Sequence, residues 1–218
     1  MKGIFIVFEG IDGSGTSTQL NLLHQHFLQK NEVSFTTTEP SDGPIGTLIR
    51  QAFKGRTKLS KGQNPFYQDG DLFDEQMAYL FAADRHDHLF NEVDGVIPLK
   101  SKGAIIISTR YYFSSLAYHC NSDTDTEMVK GLNSRFPKPD LVVYFDNKVD
   151  ESIKRMSNRA FKDEYENIEK LTKVKNNYDE IFNNYDGELL IVDAALPISD
   201  IHQLIKERSE NLLSEIRK

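Results

Sequence analysis

Tryptophan is absent from this chain of 218 residues and cysteine occurs once. No uninterrupted apolar stretch comes near the roughly 20 residues that a membrane-spanning helix needs. Each absence excludes something. The single Cys120 rules out an internal disulfide, and the stretch from Met1 to Phe8 lacks the layout of a secretory signal, so a reducing, cytoplasmic setting without a membrane partner is expected. Basic residues are also in deficit, 26 against 33 acidic, leaving a net charge of −7 with both signs intermixed along the chain. A nucleic-acid partner requires a basic face that this pattern does not supply. A small phosphorylated ligand stays open, because it needs only a few donors gathered in one cleft.

What is present is alternation. Five short runs dense in Val, Ile, Leu and Phe, at Ile4 to Phe8, Val33 to Thr37, Ala104 to Ser108, Leu141 to Phe145 and Leu189 to Val192, read as strands. They are apolar on consecutive positions, as strands covered on both faces are. Helical spacing occupies the intervals, at Ser17 to Gln29, Gly46 to Phe53, Asp74 to Leu99, Glu151 to Met156, Glu164 to Tyr185 and Ile198 to Ile216. The expectation is one α/β domain over residues 1–218, a five-stranded parallel sheet flanked by helices on both faces, with a polar excursion over 54–70.

Directly after the first strand comes Glu9-Gly10-Ile11-Asp12-Gly13-Ser14-Gly15-Thr16-Ser17-Thr18-Gln19. This fits the phosphate-loop pattern G-x-x-x-x-G-K-[ST] everywhere except at Thr16, which stands where the pattern has lysine. Glycines let the backbone curl until successive N–H groups point inward, and the following helix adds its positive dipole end. Gly10, Asp12, Gly13, Ser14, Gly15, Thr16, Ser17 and Thr18 are the candidate nucleotide-phosphate contacts, with the Ser17 hydroxyl a candidate for Mg²⁺. A glycine-rich turn that merely joins strand to helix is the competing reading. The missing lysine removes a charge-assisted hydrogen bond worth roughly 1.5 to 3 kcal/mol, which threatens turnover more than ATP binding.

Four later segments, with this loop, resemble the thymidylate kinases, a family of phosphate-loop nucleoside monophosphate kinases. Thr38-Glu39-Pro40-Ser41-Asp42-Gly43-Pro44-Ile45-Gly46 is similar to the family's E-P-x-D-G-P-[IL]-G stretch, and Leu80-Phe81-Ala82-Ala83-Asp84-Arg85 to its L-F-A-x-[DN]-R. Phe81 and Arg85, four apart, share one helix face. The resemblance implies that Phe81 stacks on the thymine ring and Arg85 donates to its carbonyl, with Glu39 and Pro40 beside them. Residues from Ser108 to His119 resemble D-R-Y-x-x-S-x-x-A-Y-Q, which gives Arg110 the acceptor phosphate, Ser115 the base and Tyr118 the sugar. Thr109 replaces the family's aspartate there, and His119 its frequent glutamine. The lost lysine and lost aspartate read together as a coupled neutral replacement of an ion pair.

After Pro139-Asp140-Leu141, which resembles the family's P-D-L, a basic lid is implied over about 155–164. Because the loop has Gly13 where some members carry an arginine, Arg155 and Arg159 are the candidate catalytic cations, with Lys162 behind them. The resemblance further places Glu166 and Asp12 at the acceptor sugar and metal waters, Tyr165 near the nucleotide, and Ala195, in Val192-Asp193-Ala194-Ala195, at the adenine. It implies a phosphate-loop NTPase fold, ATP and Mg²⁺ as cofactors, dTMP as acceptor and a homodimer. A weakly active nucleotide-binding relative, and a kinase for another pyrimidine monophosphate, are the alternatives that the sequence leaves standing.

Overall fold

The structure, a computed structural model, describes residues 2–66, 70–156 and 168–218. Five parallel strands, β1 (Ile4–Glu9), β2 (Ser34–Thr38), β3 (Ile105–Thr109), β4 (Leu141–Asp146) and β5 (Leu189–Asp193), form one sheet in the order β2-β3-β1-β4-β5. The helices are α1 (Thr16–Gln29), α2 (Pro44–Phe53), α3 (Leu72–Phe90), α4 (Val96–Ser101), α5 (Tyr112–His119), α6 (Asp123–Asn133), α7 (Val149–Met156), α8 (Ile168–Asn183) and α9 (Ile198–Arg217). The five expected strands and the parallel sheet are therefore present.

The reason for the unbroken apolar runs is visible in β1, where successive side chains enter different cores. Phe5 and Val7 point to one face, which α2, α3, α5 and α8 cover. Ile4, Ile6 and Phe8 point to the other, where Leu20, Leu23 and Phe27 of α1 meet Ile201, Ile205 and Leu212 of α9. Each such side chain contributes roughly 1.5 to 3 kcal/mol on burial, so neither face tolerates a polar alternate.

The continuous helix expected from Asp74 to Leu99 is two helices. Asn91 takes an extended conformation, and its side-chain oxygen accepts the N–H groups of Val93 (3.0 Å) and Asp94 (2.9 Å), so the helical ladder ends at Phe90. Periodicity also overlooked α5 and α6. The start of α6 is capped by Ser122, whose hydroxyl accepts from the Asp125 N–H at 3.1 Å. The lid proper and the start expected for the next helix at Glu164 lie outside the described residues.

The segment after β2 owes its shape to three contacts. Asp84 of α3 receives the Ser41 N–H and hydroxyl, both at 2.6 Å, and Arg50 of α2 donates to the Pro40 carbonyl at 2.6 Å. The Glu39–Pro40 peptide is cis. Gly46 closes the arrangement, since a Cβ there would lie 2.0 Å from the Ser41 carbonyl oxygen and 2.6 Å from its nitrogen. These are backbone atoms with no rotamer by which to retreat. Gly46→Ala is expected to lower unfolding stability by about 2 kcal/mol or more, read from the urea midpoint at constant slope; an unchanged midpoint would show that the segment is slack.

Candidate functional site

The sheet brings the ends of β1, β2 and β3 together, and every acceptor-side residue anticipated from sequence that falls within the described chain lines one cavity of about 300 Å³ at that edge. The set comprises Asp12, Glu39, Pro40, Phe81, Arg85, Arg110, Ser115 and Tyr118. Arg159, Tyr165, Glu166 and Lys162 lie outside the described residues.

On the phosphate side, Gly13 (φ 82°) and Gly15 (φ 99°) turn the loop through left-handed conformations that glycine adopts without strain. Gly13 also has Ser152 O only 2.8 Å from where a Cβ would be, so both freedoms are required there. α1 then begins at Thr16, with exposed Ser17 and Thr18 in its first turn and no acidic residue to neutralise the positive end of its dipole. Ser14 Oγ is buried without a hydrogen-bond partner among the described residues. A loop with an unanswered hydroxyl and a bare helix start suits an anionic ligand, which is the fit a nucleotide phosphate requires. Among the described residues no group of three or more His, Cys, Asp or Glu side chains is placed to hold a metal ion.

Arg155, at the end of α7, reaches across this loop. It donates to the carbonyls of Gly13 (3.3 Å) and Ala194 (2.9 Å), linking the phosphate loop to the segment that carries exposed Ala195. The cation expected from the lid thus lies against the loop.

Arg110 joins the two halves of the site. Its backbone is left-handed (φ 71°), a conformation that costs a non-glycine residue roughly 1 to 2 kcal/mol. The turn sends its guanidinium back to Asp12 (2.6 Å), to the Ser114 hydroxyl (3.1 Å) and onto the face of Tyr118, 5.0 Å from the ring centroid. Burial opposes its charge, but Asp12, the neighbouring phenols and Glu9 outweigh burial and hold its proton more tightly than usual. Asp12 also accepts from Tyr118 at 3.0 Å, so the carboxylate expected near the metal and sugar is engaged by both residues.

Arg85 is fully buried. Its neighbour Asp84 is buried as well and bonds Ser41 rather than Arg85. Arg85 donates Nε–H to Glu39 at 2.9 Å, an Nη2 N–H to the Ser115 hydroxyl at 3.1 Å and an Nη1 N–H to Asn133, and its Nη2 also ion-pairs with Glu39 at 2.6 Å. Tyr111 and Phe136 lie near it, 5.5 and 5.6 Å from the guanidinium carbon. Each of the three Arg85 nitrogens therefore has a protein partner among the described residues, while Nη1, with one bond for its two N–H groups, can still serve a ligand. Ser115, expected to read the base, is likewise already held by Arg85. One helical turn away Phe81 lines the cavity, its ring centroid 6.3 Å from Phe53 and 5.6 Å from His119. Burial pushes His119 below the usual imidazole range against the pull of Asp74, so the ring beside Phe81 is neutral near pH 7.

Thr109 is bonded to the neighbouring strand. Its hydroxyl donates to Thr38, its partner in register on β2, at 2.9 Å, and among the described residues no hydrogen bond joins it to Thr16.

Sequence reasoning gave no role to Glu9, which ends the apolar run of β1 as Asp146 ends β4 and Asp193 ends β5, but of the three only Glu9 is buried. Glu9 is buried and accepts from the Tyr111 N–H (2.7 Å), the Ser114 hydroxyl (2.7 Å) and the Tyr178 hydroxyl (2.8 Å). Asn133 was missed as well, since it lies 48 residues beyond Arg85 on a helix that periodicity did not reveal.

A parallel sheet in this order, a glycine loop opening the first helix and a cavity beside it at the same edge define the phosphate-loop NTPase fold. A sequence model described as thymidylate kinase matches residues 8–205. The chain is 39% identical over 200 residues to a probable thymidylate kinase of Thermococcus onnurineus, spanning 91% of this chain and 93% of that one. It is 38% identical over 214 residues to a probable thymidylate kinase of Thermococcus kodakarensis, spanning 97% and 100%. In three dimensions it is similar to the thymidylate kinase of Candida albicans, with a TM-score of 0.75 at 25% identity over 97% of this chain and 94% of that one. The chain belongs to the thymidylate kinase family.

Burial raises the Glu9 carboxyl from 4.5 to about 7, although Arg110, Ser114, Tyr178 and the Tyr111 N–H all oppose that rise. The folded protein keeps this proton to about pH 7, whereas the unfolded chain releases it near 4.5. Stability from this group therefore falls as pH rises through that window and levels above it. Relative to the wild type, Glu9→Gln is expected to gain on the order of 2 kcal/mol between pH 5 and pH 8. Denaturant unfolding at both pH values reads the difference, and a pH-independent gap would mean that Glu9 is ionised throughout.

Proposed function

We propose that the protein transfers the γ-phosphoryl group of ATP to the 5′-phosphate of dTMP, giving dTDP. Family membership supports the reaction class, and one observation in particular supports this chain's competence for it. Arg110 is held by a left-handed turn between Asp12 of the phosphate loop and the acceptor cavity, so one cation reaches both sides of a transfer. Phosphoryl transfer needs positioning and charge stabilisation rather than a covalent intermediate. The acceptor phosphate is already nucleophilic at neutral pH, and no general base is required.

In this reading Gly10, Asp12, Gly13, Ser14, Gly15, Thr16, Ser17 and Thr18 cradle the ATP phosphates, and Ala195 lies by the adenine. Mg²⁺, held by Ser17 with Asp12 nearby, supplies charge neutralisation when bound. Arg110 orients the acceptor phosphate, and Arg155 with Arg159 compensates charge on the transferred group. Phe81, Arg85 and Ser115 take the base with Glu39 and Pro40 behind them, while Tyr118, Tyr165 and Glu166 border the sugar. We further propose a cytoplasmic homodimer, for which the exposed Leu48 of α2 and Tyr79 of α3 offer apolar surface on two packed helices.

Thr16 and Thr109 favour a second reading, a nucleotide-binding relative with little turnover. ADP release measured with dTMP, dUMP, dCMP and dGMP separates the readings. Turnover is expected with dTMP above the others; release highest with another pyrimidine would reassign the acceptor, and ATP binding without release would favour the second reading. Thr16→Lys is expected to raise kcat less alone than together with Thr109→Asp, by about tenfold in the double-mutant cycle. Additive effects would remove the idea of a coupled replacement, against which the Thr109 bond to Thr38 already weighs.

A further inference from the structure

His88 lies on the same face of α3 as Arg85, three residues on, and the reaction makes no direct use of it. The imidazole is buried and bonded at both nitrogens: Nε2 is 2.7 Å from the Thr37 hydroxyl of β2, and Nδ1 is 3.3 Å from Glu39 Oε1. The other oxygen of Glu39 is the one that holds Arg85, at 2.9 Å from Nε and 2.6 Å from Nη2. A chain of polar contacts thus runs from the edge strand through His88 and Glu39 to the guanidinium in the acceptor cavity.

The chemistry of the partners fixes the direction of these bonds. A carboxylate only accepts, so Nδ1 carries the hydrogen whether the ring is neutral or charged, and Thr37 can donate to or accept from Nε2 as the ring requires. Glu39 is 2% exposed, and without His88 its Oε1 has no N–H in this direction. A buried carboxylate oxygen that loses a donor turns toward another, and here the nearest cation is Arg85 itself. Nη1 of Arg85 has one bond among the described residues for its two N–H groups, so a small rotation of the guanidinium redirects the N–H that a ligand would use.

We propose that His88 is a positioning residue of the acceptor site, whose Nδ1–H holds Glu39 and thereby sets the orientation of Arg85. The inference rests on the acceptor-site reading above for the identity of the ligand, but the positioning itself belongs to the free protein.

Two substitutions divide the ring's functions. Asparagine places an N–H near the position of Nδ1, so His88→Asn keeps the bond to Glu39. Glutamine places its amide near Nε2, so His88→Gln keeps the contact with Thr37 and loses Glu39. The expected result is an approximately tenfold higher KM for dTMP in His88→Gln, with kcat and the KM for ATP little changed, and near-normal values in His88→Asn. A packing role alone would affect both variants alike and would show in their melting temperatures. The second measurement is the Arg85 Nε–H resonance in the free protein, expected to be sharp and slowly exchanging in wild type and His88→Asn, and shifted or broadened in His88→Gln. If all three proteins give the same Arg85 signal, the proposal is overturned, whatever the kinetics. If the signals differ as expected but wild type binds no dTMP, the positioning stands and the acceptor reading fails.

Discussion

A guanidinium enclosed by protein has to be answered on its edges, because an unpaired charge there costs several kcal/mol. Arg85 meets that demand with groups from four places in the chain: Glu39 after β2, Ser115 on α5, Asn133 on α6, and the nearby rings of Tyr111 and Phe136. Satisfying one cation therefore ties the β2 edge of the sheet to three helices. The acceptor cavity takes its wall from these same residues, so its shape follows from how a buried charge is paired. Asp84, the neighbour of Arg85 in sequence, serves the same region from outside by holding the segment that carries Glu39 and Pro40.

The second organising contact is smaller and more exposed. Arg110 pairs with Asp12 across the ends of β3 and β1, with Tyr118 completing the cluster. Two adjacent parallel strands deliver Arg110 and the phosphate loop to within one hydrogen bond, and the left-handed turn at Arg110 converts that adjacency into direction. Glu9 and Ser114 lie beneath the pair, and Tyr178 reaches them from α8. Family membership and this geometry point the same way, while the loop's Thr16 separates the question of what binds from the question of how fast it reacts.

Local patterns were legible where one physical rule dominated. The strands were read from consecutive apolar residues, because both faces of β1 enter a core. The phosphate loop was read from glycine spacing, and Gly13 and Gly15 do adopt the left-handed conformations that the motif needs. Phe81 and Arg85 were placed on one helix face by their spacing, and they line one cavity. The failures have equally local causes. The helix assigned from Asp74 to Leu99 continues the apolar period past Asn91, but the Asn91 side chain captures backbone N–H groups and stops it. α5 was absorbed into a motif instead of being read as a helix.

By itself the sequence determined the alternation of strand and helix, the glycine loop and the side chains that line the cavity beside it, since these depend on periodicity and on chemistry carried within a few residues. Tertiary structure alone decided which of those side chains still have hydrogen bonds to offer. Arg85 has protein partners at all three of its nitrogens, Asp12 is engaged by Arg110 and Tyr118, and Thr109 is bound to Thr38. Such partners lie tens of residues apart, and only the packing of helices on the sheet brings them within reach.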